Sequence, residues 1–189
     1  FAVRYLKCIR GIMITASHNP KEYNGYKIYA EDGCQLPPAP AARIAGYIDK
    51  TDIFEDIKLS ENPEYKIVGK EIDDEYIKAV SKESLGVKIP ENMRVVYTPL
   101  HGTGNIPVRR ILSEIGVKNV FVVPEQELPD GDFKTVKSPN PEDSAAMSLA
   151  IEYAKRINAD LVLGTDPDCD RVGIAVKNRE NEYVCLNGN

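Results

Sequence analysis

Arg94-Val95-Val96-Tyr97 opens the stretch that decides the fold. It is a short apolar run, the length of a buried strand. Beyond a glycine-containing turn, Val108, Ile111, Leu112 and Ile115 recur at i, i+3, i+4 and i+7. That spacing is one face of a helix, and Gly116 closes it. Asn119-Val120-Phe121-Val122-Val123 is a second strand. A second helix is signalled by Asn140 as cap, Pro141 at the first position, and Glu142 and Asp143 beside the positive end of the dipole. Its buried face is predicted to be Met147, Ala150, Ile151, Ala154 and Ile157, and Leu161-Val162-Leu163 follows as a third strand. Strand, helix, strand, helix, strand implies βαβ crossovers. The fold class is α/β, with mixed, mostly parallel sheets and helices on both faces in three-layer α/β/α domains.

Directly after that third strand comes Asp166-Pro167-Asp168-Cys169-Asp170-Arg171. Three carboxylates at i, i+2 and i+4 repel one another unless a cation neutralises them. At the carboxyl end of a parallel strand they stand where open α/β sheets bind ligands. All-oxygen donors favour Mg²⁺, with Mn²⁺ or Ca²⁺ compatible on ligand type. A solvated acidic turn is the bland alternative. An EF-hand is excluded: its sixth and twelfth loop positions would be Arg171 and Lys177, where glycine and glutamate are required.

Working back along the chain, apolar runs at 11–15 and 25–29 read as strands around a polar turn, Thr15-Ala16-Ser17-His18-Asn19-Pro20. Such a turn exposes the Ser17 hydroxyl as a nucleophile or phosphoryl carrier, with His18 next to it and Lys27 within loop reach. Pro37-Pro38-Ala39-Pro40 breaks the chain before a helix over about 40–50. Residues 51–72 suit a connecting segment. A helix over about 73–84, capped by Asp73 or Asp74, leads into the second part. His101 with Gly102 and Gly104 reads either as an anion site at a helix N-terminus or as a tight turn with structural glycines. The turn fits better, because Pro107 stands where a dinucleotide fingerprint needs glycine.

A chain of 189 residues is long enough for one large domain or two small ones. Its net charge of −5, without a basic run, argues against a nucleic-acid partner. Cys8, Cys34, Cys169 and Cys185 are scattered, which argues against a zinc ribbon or a disulfide scaffold and for a reducing, cytoplasmic location. No apolar run reaches the roughly 18 residues of a membrane span, and no signal peptide is visible.

Taken together, the serine turn with Asn24-Gly25-Tyr26-Lys27, and Gly164-Thr165 ahead of the aspartate loop, resemble the α-D-phosphohexomutases, a family that includes phosphoglucomutase and phosphomannomutase. Thr98-Pro99-Leu100-His101-Gly102-Thr103-Gly104 and Ser138-Pro139-Asn140-Pro141-Glu142 are similar to further family segments. The resemblance implies that residues 1–72 are the later part of a first domain and 73–189 a second, with other domains of the same polypeptide missing. It further implies a phosphoglucomutase-type activity through a phosphoserine at Ser17, with a sugar 1,6-bisphosphate as intermediate and activator and a phosphosugar as substrate. Ser17, His18, Lys27 and Arg171 would be catalytic, and Ser17, Asp166, Asp168 and Asp170 would hold Mg²⁺. Phosphomannomutase or phosphopentomutase specificity is the near alternative. A haloacid-dehalogenase-like phosphatase or a non-catalytic cation-binding module is the distant one.

Overall fold

A computed structural model describes residues 1–57, 60 and 64–186. They form two compact units, Phe1–Ile14 with Gly25–Tyr76, and Thr15–Asn24 with Ile77 onward. Residues 58, 59 and 61–63 of the expected connecting segment lie outside the described residues.

The first unit holds α1 (Ala2–Tyr5), β1 (Gly11–Ile14), β2 (Tyr26–Tyr29), α2 (Pro38–Ile48) and the first turns of α3 (Lys70–Ser81). β1 and β2 pair antiparallel, with Gly11 opposite Tyr29 and Ile14 opposite Tyr26. Both strands match the apolar runs. The proline run starts α2 instead of delaying it to about 40, because Pro38 and Pro40 occupy the first turn, where a backbone N–H has no helical partner to lose. α3 begins at Lys70, three residues before the expected Asp73. The Gly69 carbonyl closes its first turn by accepting the N–H groups of Ile72 and Asp73. Asp73 and Asp74 therefore lie inside the helix and neither is its cap; Asp73, in the first turn, favours the positive end of the dipole.

The second unit is built on one five-stranded sheet of β3 (Arg94–Thr98), β4 (Asn119–Val122), β5 (Leu161–Thr165), β6 (Val172–Lys177) and β7 (Tyr183–Leu186). The order is β4-β3-β5-β6-β7. β4 and β5 flank β3 in parallel, with Val96 opposite both Phe121 and Val162. β6 and β7 continue antiparallel, so the sheet is parallel on one side and antiparallel on the other. α4 (Asn105–Glu114), α5 (Pro124–Glu127) and α6 (Ser148–Ile157) fill the connections, and α6 packs on β3 and β5. A mixed sheet flanked by helices is the α/β class expected from the strand–helix alternation. The expectation of mostly parallel pairing is corrected: β1–β2, β5–β6 and β6–β7 are antiparallel because loops, not helices, join those strands.

Gly116 ends α4 in a left-handed conformation at φ 101°, as its position predicts. The buried face of α6 is also as expected. Met147, Ala150 and Ala154 are fully buried with Val96 and Val162, and Ile151 and Ile157 pack against that cluster. The start of α6 differs, since it begins at Ser148. Asn140 instead turns the chain locally, its Oδ1 accepting the Glu142 N–H at 3.1 Å, and Asp143 Oδ1 accepts the Ala145 N–H at 2.9 Å. Pro141 is buried against Gly173, where a Cβ would run into the Pro141 carbonyl. That packing fixes the segment ahead of the helix as consecutive turns.

β3 leads to β4 on one side, and β4 leads to β5 on the other. The carboxyl ends of β3 and β5 thus flank the point where strand order reverses, which opens a crevice in sheets of this kind.

Candidate active site

The aspartate loop is rooted in the core of the second unit. Asp166 follows β5 and is fully buried. Its Oδ1 accepts the N–H groups of Asp170 at 3.1 Å and Arg171 at 2.9 Å, while its carbonyl accepts the Cys169 N–H at 3.0 Å. Beneath the loop the Tyr97 and Thr165 hydroxyls are 2.8 Å apart. Gly104 fills the remaining space, for a Cβ there would stand 2.5 Å from Tyr97 Oη, 2.7 Å from Thr165 Oγ1 and 2.8 Å from Cys169 Sγ. Thr103 donates to the Pro167 carbonyl from its N–H at 2.9 Å and its hydroxyl at 3.0 Å. The His101–Gly104 segment is therefore a tight turn whose glycines allow the loops after β3 and β5 to touch.

Asp166, Asp168 and Asp170 present oxygens within 4.8 Å of one another. Burial, above all, pushes the Asp166 carboxyl up to about 6, helped by its hydrogen bond with Asp168 and by the charges of Asp168 and Asp170, and opposed by the Arg171 N–H. A buried carboxylate beside two others is a poor arrangement for protein alone and a suitable one for a divalent cation. The donors are all oxygen, which fits a hard ion such as Mg²⁺. Cys169 does not compete, because burial pushes its thiol up and away from the thiolate that soft metals need.

The serine turn belongs to the same unit. Ser17 adopts φ 55°, a left-handed conformation that costs a non-glycine residue energy and occurs where the surroundings hold it. Its N–H donates to Thr15 Oγ1 at 2.8 Å, and the Asn19 N–H closes the turn on the Ala16 carbonyl at 3.1 Å. Its hydroxyl stands 3.3 Å from Asp166 Oδ2, 3.3 Å from Asp168 Oδ1 and 3.3 Å from His18 Nδ1. Ser17 and Asp166 are separated by 149 positions in sequence. One proton cannot serve three acceptors, and each distance exceeds the usual 2.7–2.8 Å of a hydroxyl bond.

Ser17, His18, Asp166 and Asp168 thus come together, with Asp170 in the same carboxylate cluster. Arg171 is half-buried; its guanidinium lies 3.5 Å from Glu142 and its N–H is committed to Asp166. Lys27 is on β2 of the first unit, in register with Met13, and half-buried. Several supporting contacts escape a reading of the motifs alone, although Ser138 and Thr165 lie in segments that carry the family resemblance. Ser138 Oγ donates to the His18 carbonyl at 2.8 Å, Asp132 pairs with Lys21 at 3.2 Å, and Tyr97 and Thr165 support the aspartate loop. Glu142, read from sequence as a helix-dipole partner, faces Arg171 instead. Nothing periodic marks these positions.

Residues 74–180 match the family model for phosphoglucomutase/phosphomannomutase α/β/α domain II, and residues 1–54 match that for domain I. The chain belongs to the phosphoglucomutase/phosphomannomutase family. It is 43% identical over 194 residues to a phosphoglucomutase of Staphylococcus epidermidis, an alignment that covers all of this chain and 35% of that protein. The chain thus spans about a third of the length of such relatives. Among solved structures, a Thermus thermophilus protein assigned as a phosphomannomutase superposes with a TM-score of 0.73 at 23% identity, over 93% of this chain and 38% of that one. An Aspergillus fumigatus N-acetylphosphoglucosamine mutase crystallised with glucose 1,6-bisphosphate superposes at 0.60 and 16% identity, over 98% and 47%. At those identities the superpositions establish the fold.

Proposed function

We propose that this chain carries the phosphoryl-transfer serine and the metal loop of a phosphoglucomutase, which interconverts hexose 1-phosphate and 6-phosphate. Residues 1–72 are the later part of its first domain and 73–189 its second. The observation that carries this reading is the approach of the Ser17 hydroxyl to the Asp166 and Asp168 carboxylates. A bare serine gains little beside buried acids. Phosphoserine, with about −1.5 to −2 charge, has reason to be there only if a cation accompanies it.

Ser17 is the phosphoryl carrier. The sugar phosphate's free hydroxyl attacks the phosphorus of phosphoserine, the Ser17 Oγ–P bond breaks as the sugar O–P bond forms, the hydroxyl proton passes to a base, and the departing Ser17 oxygen takes up a proton to become the free hydroxyl. The resulting bisphosphate reorients and returns its other phosphoryl group to Ser17. Asp166, Asp168 and Asp170, with an oxygen of Ser17, would hold Mg²⁺. When bound, that ion would withdraw charge from the transferring phosphoryl oxygens. His18, whose Nδ1 is near Ser17 Oγ, and Lys27 are the candidate proton carriers. Arg171 offers a guanidinium to phosphate oxygens. Glucose 1,6-bisphosphate in the fungal mutase is consistent with a bisphosphate intermediate here. A cytoplasmic location suits a phosphosugar substrate.

The complete enzyme should carry about 80 Da of extra mass on Ser17, one phosphate's worth. Ser17→Ala should abolish conversion of glucose 1-phosphate, whereas a Ser17→Ala enzyme turning over at the wild-type rate would overturn the reading. Chain 1–189 alone is expected to show little turnover, and comparing kcat across glucose, mannose and pentose phosphates in the complete enzyme would fix its specificity.

A further inference from the structure

We infer that His101 is a positioning residue for the phosphoryl-transfer serine, acting through a directed hydrogen-bond chain and the loop 128–138; this rests on the role proposed for Ser17. His101 follows β3 and is 7% exposed. Leu100 and His101 adopt φ 46° and 62°, consecutive left-handed conformations that turn the imidazole into the protein. Its Nδ1 is 2.9 Å from the Leu128 carbonyl and its Nε2 is 2.8 Å from Thr135 Oγ1.

Donor and acceptor roles follow from the chemistry of each group. A carbonyl only accepts, so His101 Nδ1 carries the proton and donates to Leu128. The Thr135 hydroxyl, whose oxygen accepts from Gln126, has its own proton to donate to Nε2. Thr135 Oγ1 then accepts from Gln126 Nε2 at 3.2 Å, and Gln126 Oε1 accepts from the Thr98 hydroxyl at 2.7 Å. Thr98 and Gln126 are fully buried, and the His101 N–H donates to the Gln126 carbonyl at 2.9 Å. Every bond in the run Thr98, Gln126, Thr135, His101, Leu128 points the same way. The ring of Phe133 meets the imidazole edge-on at 5.9 Å.

That run holds the loop at Leu128 and at Thr135, three residues before Ser138, in a segment that has little other regular structure. The same loop then reaches the serine turn at two points, Ser138 Oγ to the His18 carbonyl at 2.8 Å and Asp132 to Lys21 at 3.2 Å. The His18 carbonyl is one residue beyond Ser17, whose left-handed backbone needs restraint from outside the turn. His101 thereby links the end of β3 to the placement of Ser17 Oγ without touching it. A phosphoryl donor displaced by even an ångström loses rate far more than it loses substrate affinity.

The test is kinetic and uses the complete enzyme. His101→Ala and Ser138→Ala are each expected to lower kcat about tenfold with KM changed less than twofold. Combined, they should lower it little further, because they cut one chain. Thr135→Val should behave like His101→Ala, and Thr135→Ser, which keeps the hydroxyl, should restore kcat. If kcat stays at wild type in His101→Ala and Ser138→Ala while only thermal stability falls, His101 is merely structural and the inference is overturned. Multiplying effects, or Thr135→Ser as slow as Thr135→Val, would overturn it too. Activity in Ser17→Ala would mark the failure of the underlying reading instead.

Discussion

The serine turn and the aspartate loop meet at one point but are held in different ways. The aspartate loop grows out of β5, its first carboxylate is fully buried, and glycines at 102 and 104 let backbone pack directly beneath it. The serine turn is a ten-residue excursion, Thr15–Asn24, with no strand or helix of its own among the described residues. It is held by its own turn bonds and a few polar contacts from the 128–138 loop and the aspartate loop. Charge that must be gathered is placed on rigid structure, where the repulsion of three carboxylates is borne by the core. The group proposed to hand over a phosphate sits on a segment held by replaceable hydrogen bonds.

The widest expected break in this contrast comes from the buried end. Asp166→Asn should weaken Mg²⁺ binding by about 100-fold or more, since losing even an indirect partner of a metal site costs 10–100-fold. Isothermal titration of chain 1–189 with Mg²⁺ reads this directly, and unchanged affinity would separate the carboxylate cluster from metal binding.

Next in size is Gly104→Ala. The new methyl would press on two hydroxyls and a thiol inside the core. Overpacking of this kind costs about 1–3 kcal/mol, visible as a lower urea midpoint. Lys21→Met on the serine turn provides the counterweight. Its pair with Asp132 is exposed, with side chains 47% and 62% accessible, and the change should cost under about 1 kcal/mol. Similar losses for the two would mean that both regions are equally rigid.

Acidity sharpens the comparison further. With the folded Asp166 carboxyl raised to about 6 and an unfolded value near 3.9, the metal-free folded state holds a proton that the unfolded chain releases. The destabilisation from Asp166 is therefore absent below about pH 4, grows between 4 and 6, and is complete above. The pH dependence of the melting temperature across that window should be weaker in Asp166→Asn than in the wild-type chain. Mg²⁺ affinity should fall about tenfold per pH unit below about 6, as the ion must displace that proton.

Much of this architecture was legible from pattern alone. The i, i+3, i+4, i+7 spacing from Val108 found α4, whose apolar face is only half-buried, and the apolar face from Met147 to Ile157 found the buried side of α6, because an apolar stripe on one side of a helix imposes a period. Asn140-Pro141-Glu142-Asp143 misled about where α6 starts. Its capping residues satisfy backbone groups equally well in a turn, and the packing of Pro141 on Gly173 decides between the two. The proline run ahead of α2 was ambiguous for the same reason, since proline both breaks a helix and begins one.

Residue order by itself determined which groups could do chemistry, because the serine in a tight turn and three aspartates in five positions are local properties of the chain. It also determined the alternation of strand and helix that makes an α/β sheet. Only the tertiary structure decided that Thr15–Asn24 packs with the second unit, that Ser17 stands 3.3 Å from Asp166, that His101 engages the 128–138 loop, and that Ser138 of that loop engages the serine turn. Those relations join positions up to 149 residues apart, and no local propensity reports them. They exist because strand order reverses beside β3, bringing the ends of β3 and β5 together, and because a buried carboxylate must find its partners wherever the folded chain supplies them.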